Sequence, residues 1–396
     1  MALWNRKKSQ AQTAQADLND EGISRLEPGL GRVKNIIAIA SGKGGVGKST
    51  VATNLAFALK ETGASVGLMD ADIYGPSQPG MLGADLEPPH VVGGQLQPSS
   101  RHGMSFISMG LFLGGGGPVI WRAPIAMKMI QQFIANVLWG EIDYLLIDLP
   151  PGTGDVQLTL AQQAQLTGAI IVTTPQDVAL GVARKGLKMF QQVNVPILGI
   201  VENMSGFICR HCGKETDIFG AGGGKTMAIE MNVPFLGAIP LDPAIMSSGE
   251  EGIPGLAKDR KSGASKAYIA LVQAVEKSLD DMKASGNLLE PEQVEMADNG
   301  ELHVRWPDSH QSIYTPHHLR VNCHCANCVN EDTGLRTLDP AHIPLDIKIS
   351  DIKPVGRYAM AISFSDGHNT GIYTFKRLRD LCECPEHSKK GESFEV

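Results

Sequence analysis

From residue 35 onward the chain alternates short apolar runs with amphipathic stretches. Residues 36–40, 66–69, 144–147, 169–172 and 197–201 are almost continuously apolar and of strand length. Between them, 49–61, 125–138, 156–165 and 178–191 carry helical periodicity. Strands apolar on both faces, alternating with helices of this length, predict an α/β fold: a doubly wound, mainly parallel sheet covered by helices on both sides. A last amphipathic helix fits 265–283, with Tyr268, Leu271, Val272, Val275, Leu279 and Met282 on one stripe.

The pattern fades at both ends of this unit, which spans 33–284. Residues 1–32 are polar and weakly patterned, and read as a flexible arm. Residues 285–298 carry Gly, Asn, Pro and acidic side chains without periodicity, and read as a linker. Beyond it, 302–306 and 311–314 predict a hairpin around Pro307 and Asp308, and 345–352, 358–364 and 371–374 are further β-type runs. They predict a small α+β domain over 299–384, followed by a polar tail, 385–396.

Composition narrows the function. The chain has 396 residues, 42% hydrophobic and 19% charged, as expected of a globular protein of more than one domain. Its formal charge of −7 disfavours a phosphate-coating nucleic-acid binder. No apolar run reaches the roughly 18 residues of a membrane helix, and no apolar leader follows the basic start, so a cytoplasmic location is expected. The seven cysteines fall in close groups, Cys209 with Cys212, Cys323 with Cys325 and Cys328, and Cys382 with Cys384. An odd number in tight clusters points to metal or redox chemistry in a reducing compartment.

Glycine accounts for 45 residues, and the excess is clustered. Gly42, Lys43, Gly44, Gly45, Val46, Gly47, Lys48, Ser49 and Thr50 follow a strand-like run and open a helical one, which is the P-loop pattern in its required context. Its backbone N–H groups are expected to converge on the phosphates of ATP, with Lys48 reaching the β- and γ-phosphates and Ser49 ligating Mg²⁺. Lys43 is a second lysine inside the loop and resembles the one that, in deviant Walker A proteins, reaches a partner's nucleotide across a dimer interface. The plain alternative is a solvated loop lysine. Residues 144–148 form an apolar strand ending in Asp148, a Walker B arrangement expected to hold Mg²⁺. Asp72 is the candidate for orienting the attacking water, with Asp70 supporting the metal region. For both, a helix cap or strand-end turn is the competing reading. Residues 150–155, Pro-Pro-Gly-Thr-Gly-Asp, read as a switch loop facing the γ-phosphate.

These segments, with Asp70-Ala-Asp-Ile-Tyr-Gly-Pro-Ser77, Thr173-Thr-Pro-Gln176 and Glu202-Asn-Met-Ser205 followed by Cys209-Arg-His-Cys212, resemble the Mrp/ApbC family over residues 33–257. Members are iron–sulfur cluster carrier ATPases related to MinD and ParA. The resemblance implies a homodimer, Asn203 near the adenine, and partners that are apo iron–sulfur proteins and a cluster-donating scaffold. Ala123 and Glu250 depart from the family, which usually has glycine and aspartate there. One C-x-x-C pair supplies two of the four ligands a cluster needs. A symmetric dimer supplies four, which predicts a [4Fe–4S] cluster bridging the subunits. Zinc in the same four-thiolate site and a thioredoxin-like dithiol are the alternatives, although Gly213 and the polar stretch after it favour a turn over a helix start.

In the C-terminal domain Cys323, Cys325 and Cys328 form C-x-C-x-x-C, with His368 as the expected fourth ligand. Residues 319–328, 355–359 and 364–373 resemble the N-terminal domain of gamma-butyrobetaine hydroxylases over 298–381. That resemblance implies Zn²⁺ held by three cysteines and one histidine, and no oxygenase chemistry. An iron–sulfur centre is the alternative metal, and His324, Cys382, Cys384 and His387 are alternative ligands. The sequence as a whole predicts a carrier that binds and slowly hydrolyses ATP, holds a cluster and passes it to apoproteins, without nucleic acid or membrane. The alternative is a MinD/ParA-like positioning ATPase lacking a cluster.

Overall fold

A computed structural model describes residues 29–30, 32–73, 75–112, 123–152, 154–193, 195–209, 212, 214–284, 291–325, 327–329, 335–355 and 359–384. Most of the expected arm, the tail with His387, and Thr153 of the expected switch loop lie outside the described residues.

In the larger unit the elements run β1 (Val33–Ser41), α1 (Lys48–Glu61), β2 (Val66–Asp70), β3 (Ser99–Arg101), β4 (Met104–Ser108), α2 (Ala123–Asn136), β5 (Ile142–Asp148), α3 (Asp155–Gln163), β6 (Gly168–Thr173), α4 (Asp177–Gln192), β7 (Ile197–Ile208), β8 (Glu215–Thr216), α5 (Gly223–Glu230), β9 (Phe235–Leu241) and α6 (Gly263–Ala284). One nine-stranded sheet runs β8-β7-β6-β1-β5-β2-β4-β3, with β9 beside β7. The pairs β1/β5, β1/β6, β2/β4, β2/β5, β6/β7 and β7/β9 are parallel. Only the marginal pairs β7/β8 and β3/β4 are antiparallel. This is the expected doubly wound, mainly parallel sheet.

The alternation along β1 explains its continuous apolar run. Ile36, Ala38 and Ala40 enter the core on one side of the sheet, Ile37 and Ile39 the core on the other. On the first side α4 contributes Leu180, Ala183, Leu187 and Phe190. On the second, α6 contributes Tyr268, Leu271, Val272, Val275 and Leu279, with Met282 packed at the margin, the stripe read from its periodicity. Strand β7 differs from expectation. It continues past Val201 to Ile208, carrying the chain from the parallel sheet to the first cysteine pair.

The C-terminal elements are β10 (Gln293–Met296), β11 (Leu302–Arg305), β12 (Gln311–Tyr314), α7 (Pro316–Val321), β13 (Ile349–Val355), β14 (Ala359–Phe364), β15 (Gly371–Thr374) and α8 (Phe375–Asp380). They form two antiparallel sheets, β10-β11-β12 and β13-β14-β15. A separate core holds Trp306, Tyr314, Leu319, Phe364 and Tyr373 together with Cys323, Cys328 and Cys382. The stretch expected as linker, 285–298, contains a strand: β10 pairs with β11 from Gln293 opposite Arg305 to Met296 opposite Leu302. It is a four-residue edge strand without a buried side chain, and its brief polar–apolar alternation, Gln293-Val294-Glu295-Met296, is too short to stand out from the stretch around it. Among the described residues no helix is long and apolar enough to cross a membrane.

Candidate functional sites

The register of the parallel sheet sets the first site. Asp70 lies opposite Asp148, Asp148 opposite Ile39, Ser41 opposite Val172 and Thr173 opposite Glu202. The carboxyl ends of β2, β5, β1, β6 and β7 therefore share one edge, where open α/β sheets form their ligand crevice. Residues 42–47 turn there from β1 into α1. A Cβ at Gly42 would meet the Ala183 backbone nitrogen at 2.5 Å, so the loop seats directly on α4. Gly47 has φ +78°, and a Cβ there would meet Asn203 Nδ2 at 2.2 Å. Gly45, at φ +80°, has nothing within 4 Å of such a Cβ. The loop is thus held tightly from behind and open in front. That open side is a cavity of about 260 Å³ bordered by Lys43, Gly44, Lys48, Ser49, Asp72 and Pro151, and a phosphate chain fits such a backbone cradle.

The charged groups already engage one another. The Lys48 side chain, 6% exposed, donates to Asp148 and lies 3.9 Å from Asp72 Oδ2. The other Asp148 oxygen accepts from Gln78 Nε2 at 2.9 Å, and the same amide reaches the Ser49 carbonyl at 3.2 Å. Gln78 was not singled out in the sequence, although it directly follows the Asp70–Ser77 segment. Asp70 turns away from the cavity. It is fully buried and accepts from the Gln78 and Asp72 N–H groups, each at 3.1 Å, and from the Ser108 hydroxyl at 2.8 Å. Burial, and then the charge of Asp148, push its carboxyl up to about 7. Asp70 therefore supports the site from beneath. Asn203 also sits under the loop, donating from Nδ2 to the Val46 carbonyl at 2.9 Å. The start of the proline–glycine loop is tied to the same place, with the Gly152 N–H donating to Ser41 O at 2.9 Å.

The second site lies at the end of β7. Ile208 pairs with Glu215 across the β7/β8 hairpin, and the Cys209 N–H donates to Lys214 O at 3.0 Å. Cys209 is half-buried and Cys212 exposed. Cys209 thus leaves a strand and does not open a helix. Glu202, which heads the Glu202–Ser205 motif but carries no expected role of its own, fixes the hairpin's base. Its buried carboxylate accepts from the Ser205 hydroxyl and from the Gly222 and Gly224 N–H groups, pinning the chain before and after the cysteines.

In the C-terminal domain the structure brings together Cys323, Cys325, Cys328 and His368. His368 Nε2 lies 3.3, 3.5 and 3.9 Å from the three sulfurs. A tetrahedral zinc with ordinary Zn–S and Zn–N bonds holds such atoms about 3.5 Å apart, so the donor set and spacing fit zinc. Burial, with the neighbouring Cys328 and Cys325 thiolates, pushes the Cys323 thiol up to about 12. Burial, with the Arg320 charge, lowers His368 and favours the neutral imidazole that a metal requires. Arg320 donates from Nη1 to Cys328 Sγ at 3.4 Å and from Nε to Asp366 at 2.7 Å, while Asp366 accepts the His368 N–H at 3.0 Å. This ion pair sets the ligand loop and offsets thiolate charge. Of the alternative ligands, His324 is turned to Arg377, at 2.9 Å, and Cys382 and Cys384 gather elsewhere, around His310.

Comparison with known proteins agrees with this anatomy. Residues 32–276 match the ParA family model described as NUBPL iron-transfer P-loop NTPase. Residues 293–379 match the N-terminal domain of gamma-butyrobetaine hydroxylase-like proteins. An iron–sulfur cluster carrier protein of Synechocystis is 51% identical over 62% of this chain and 71% of its own length. One of Escherichia coli is 47% identical over 63% and 68%. An Arabidopsis thaliana iron–sulfur protein required for NADH dehydrogenase is 44% identical over 63% and 80%. Among solved structures, a nucleotide-binding protein of Archaeoglobus fulgidus in complex with ADP is 38% identical, with a TM-score of 0.52 over 60% of this chain and 93% of that one. With a match of this extent to the family model, the chain belongs to the ParA/NUBPL iron-transfer P-loop NTPases.

Proposed function

We propose that this protein is an ATP-dependent iron–sulfur cluster carrier, working as a homodimer whose two Cys209/Cys212 pairs jointly hold a [4Fe–4S] cluster as cargo for apoproteins. Residues 33–284 form its ATPase module and 293–384, from β10 onward, a separate zinc domain. The observation that carries the reading is the path of β7: Asn203 touches the phosphate loop, its neighbour Glu202 anchors the hairpin, and the cysteines stand at the strand's end.

Lys43, Lys48 and the N–H groups of Gly44 to Thr50 bind the phosphates, Ser49 and Asp148 hold Mg²⁺, Asp72 orients the water, and Asn203 lies by the adenine. Magnesium, when bound, neutralises charge on the phosphates. Lys48 is engaged with Asp148. A triphosphate competes for that ammonium, frees the carboxylate and shifts the end of β5 with the loop that follows. Turnover is slow, on the order of 10⁻² s⁻¹ or below, as in switch NTPases without an activating partner.

The test is anaerobic reconstitution with iron and sulfide, beside a Cys209→Ser/Cys212→Ser variant. About two irons and two sulfides per chain, lost in the variant, are expected, with transfer to an apo ferredoxin-type acceptor altered by ATP. Iron that does not depend on these cysteines overturns the carrier reading and leaves a nucleotide switch.

A further inference from the structure

We propose a second metal site in the C-terminal domain, formed by His310, Cys382 and Cys384 and suited to Zn²⁺. The three ligand atoms lie within 4.8 Å of one another and none is shared with the Cys323/Cys325/Cys328/His368 group. His310 Nε2 is 3.2 Å from Cys382 Sγ, within a few tenths of the roughly 3.5 Å separation that a tetrahedral zinc requires. Two thiolates and an imidazole are a soft donor set that selects zinc over magnesium or calcium.

The ligands come from two elements held in place without the ion. His310 stands at the tip of the β11/β12 hairpin, and the cysteines follow α8 directly. Arg379 of α8 donates to Asp308 and lies over the Trp306 ring, 5.4 Å from its centroid. Asp308 in turn accepts the His310 N–H at 3.2 Å. The hairpin tip is thereby clamped to the end of the helix. His318 steadies the intervening turn, with Nε2 3.1 Å from Leu381 O and Nδ1 3.0 Å from Glu383 Oε1. Cys382 is buried in the domain core and Cys384 lies at its margin. Among the described residues three protein ligands gather here, which leaves a fourth position for water or a further donor, the arrangement of exchangeable or reactive zinc in contrast to closed structural zinc. The group therefore reads as an accessible metal site beside a structural one.

The experiment uses the full chain in a Cys209→Ser/Cys212→Ser background, stripped with chelator and titrated with Zn²⁺ or Co²⁺ alone. Two equivalents per chain are expected, falling to one in Cys382→Ser/Cys384→Ser, with the near-ultraviolet thiolate-to-cobalt absorption reduced in step. Because Cys382 belongs to the core, His310→Ala is the companion: it must weaken the second equivalent at least tenfold while circular dichroism and the first equivalent stay unchanged. One equivalent in the parent, or a second equivalent that survives either variant undiminished, overturns the proposal.

Discussion

At the scale of single residues the nucleotide site is a contest for one ammonium. Lys48 is shared by Asp148 and Asp72, and Asp148 is also held by Gln78. Removing the Asp148 charge takes away a competitor for Lys48 and, in the proposed site, a magnesium ligand. Asp148→Asn should therefore bind nucleotide without Mg²⁺ at least as tightly as the parent. It should lose the enhancement by Mg²⁺ and turn over on the order of 10²-fold more slowly. Titration with a fluorescent ATP analogue, with and without Mg²⁺, reads this; an intact magnesium effect contradicts the assignment. Asp70 makes a different prediction. Its carboxyl is raised from 3.8 to about 7 by burial and by Asp148, so the fold favours the protonated acid. Its stabilising contribution is complete below pH 4 and is lost as pH rises through about 7. The melting temperature of Asp70→Asn relative to the parent should accordingly climb between pH 5 and 8 in nucleotide-free protein. Parallel melting profiles across that range would show that Asp70 is ionised throughout.

At the scale of elements, β7 joins the two chemistries. Adjacent residues on this strand serve different ends: Asn203 holds the phosphate loop, and Glu202 holds the base of the cysteine hairpin. Substituting each should separate the effects. Asn203→Ala removes one hydrogen bond, worth about 1 kcal/mol, and should weaken nucleotide binding roughly fivefold. Glu202→Gln exchanges an acceptor for a donor facing two N–H groups, and should speed cluster loss to a chelator while leaving nucleotide affinity within about twofold. The reverse pattern would place the coupling elsewhere. What the sequence revealed follows from similar physics. Strands β1, β2, β5, β6 and the start of β7 are buried on both faces, so their apolar runs stand out. Strand β9 escaped because Gly237 and Pro240 interrupt it, and β4 because serines flank its short apolar centre. The close Cys323–Cys328 spacing marked the C-terminal candidate metal ligands. The Arg320–Asp366 pair and the meeting of His310 with Cys382 depend on tertiary contacts between distant segments, for which no local spacing exists.

At the scale of the molecule the proposed carrier makes the cysteine hairpin half of a site. Cys209 and Cys212 offer two thiolates, and a cubane cluster takes four protein ligands. Cys212 is exposed at the hairpin, where a second copy can approach. The proposed two-fold axis beside the hairpin would complete the ligand set from identical surfaces without any further protein. Lys43 borders the nucleotide cavity, and the proposed dimer would present it to the partner's phosphates. Both features tie cargo to assembly, and the binding of cluster and the association of chains must then strengthen each other. The visible absorbance of the reconstituted cluster should therefore sediment with the mass of two chains. Dilution below the dimer dissociation constant should release cluster and monomer together, and Cys212→Ser should abolish the coloured dimer even though Cys209 remains. A cluster sedimenting with a single chain would mean that the remaining ligands come from within that chain, and the proposed axis would lose its purpose.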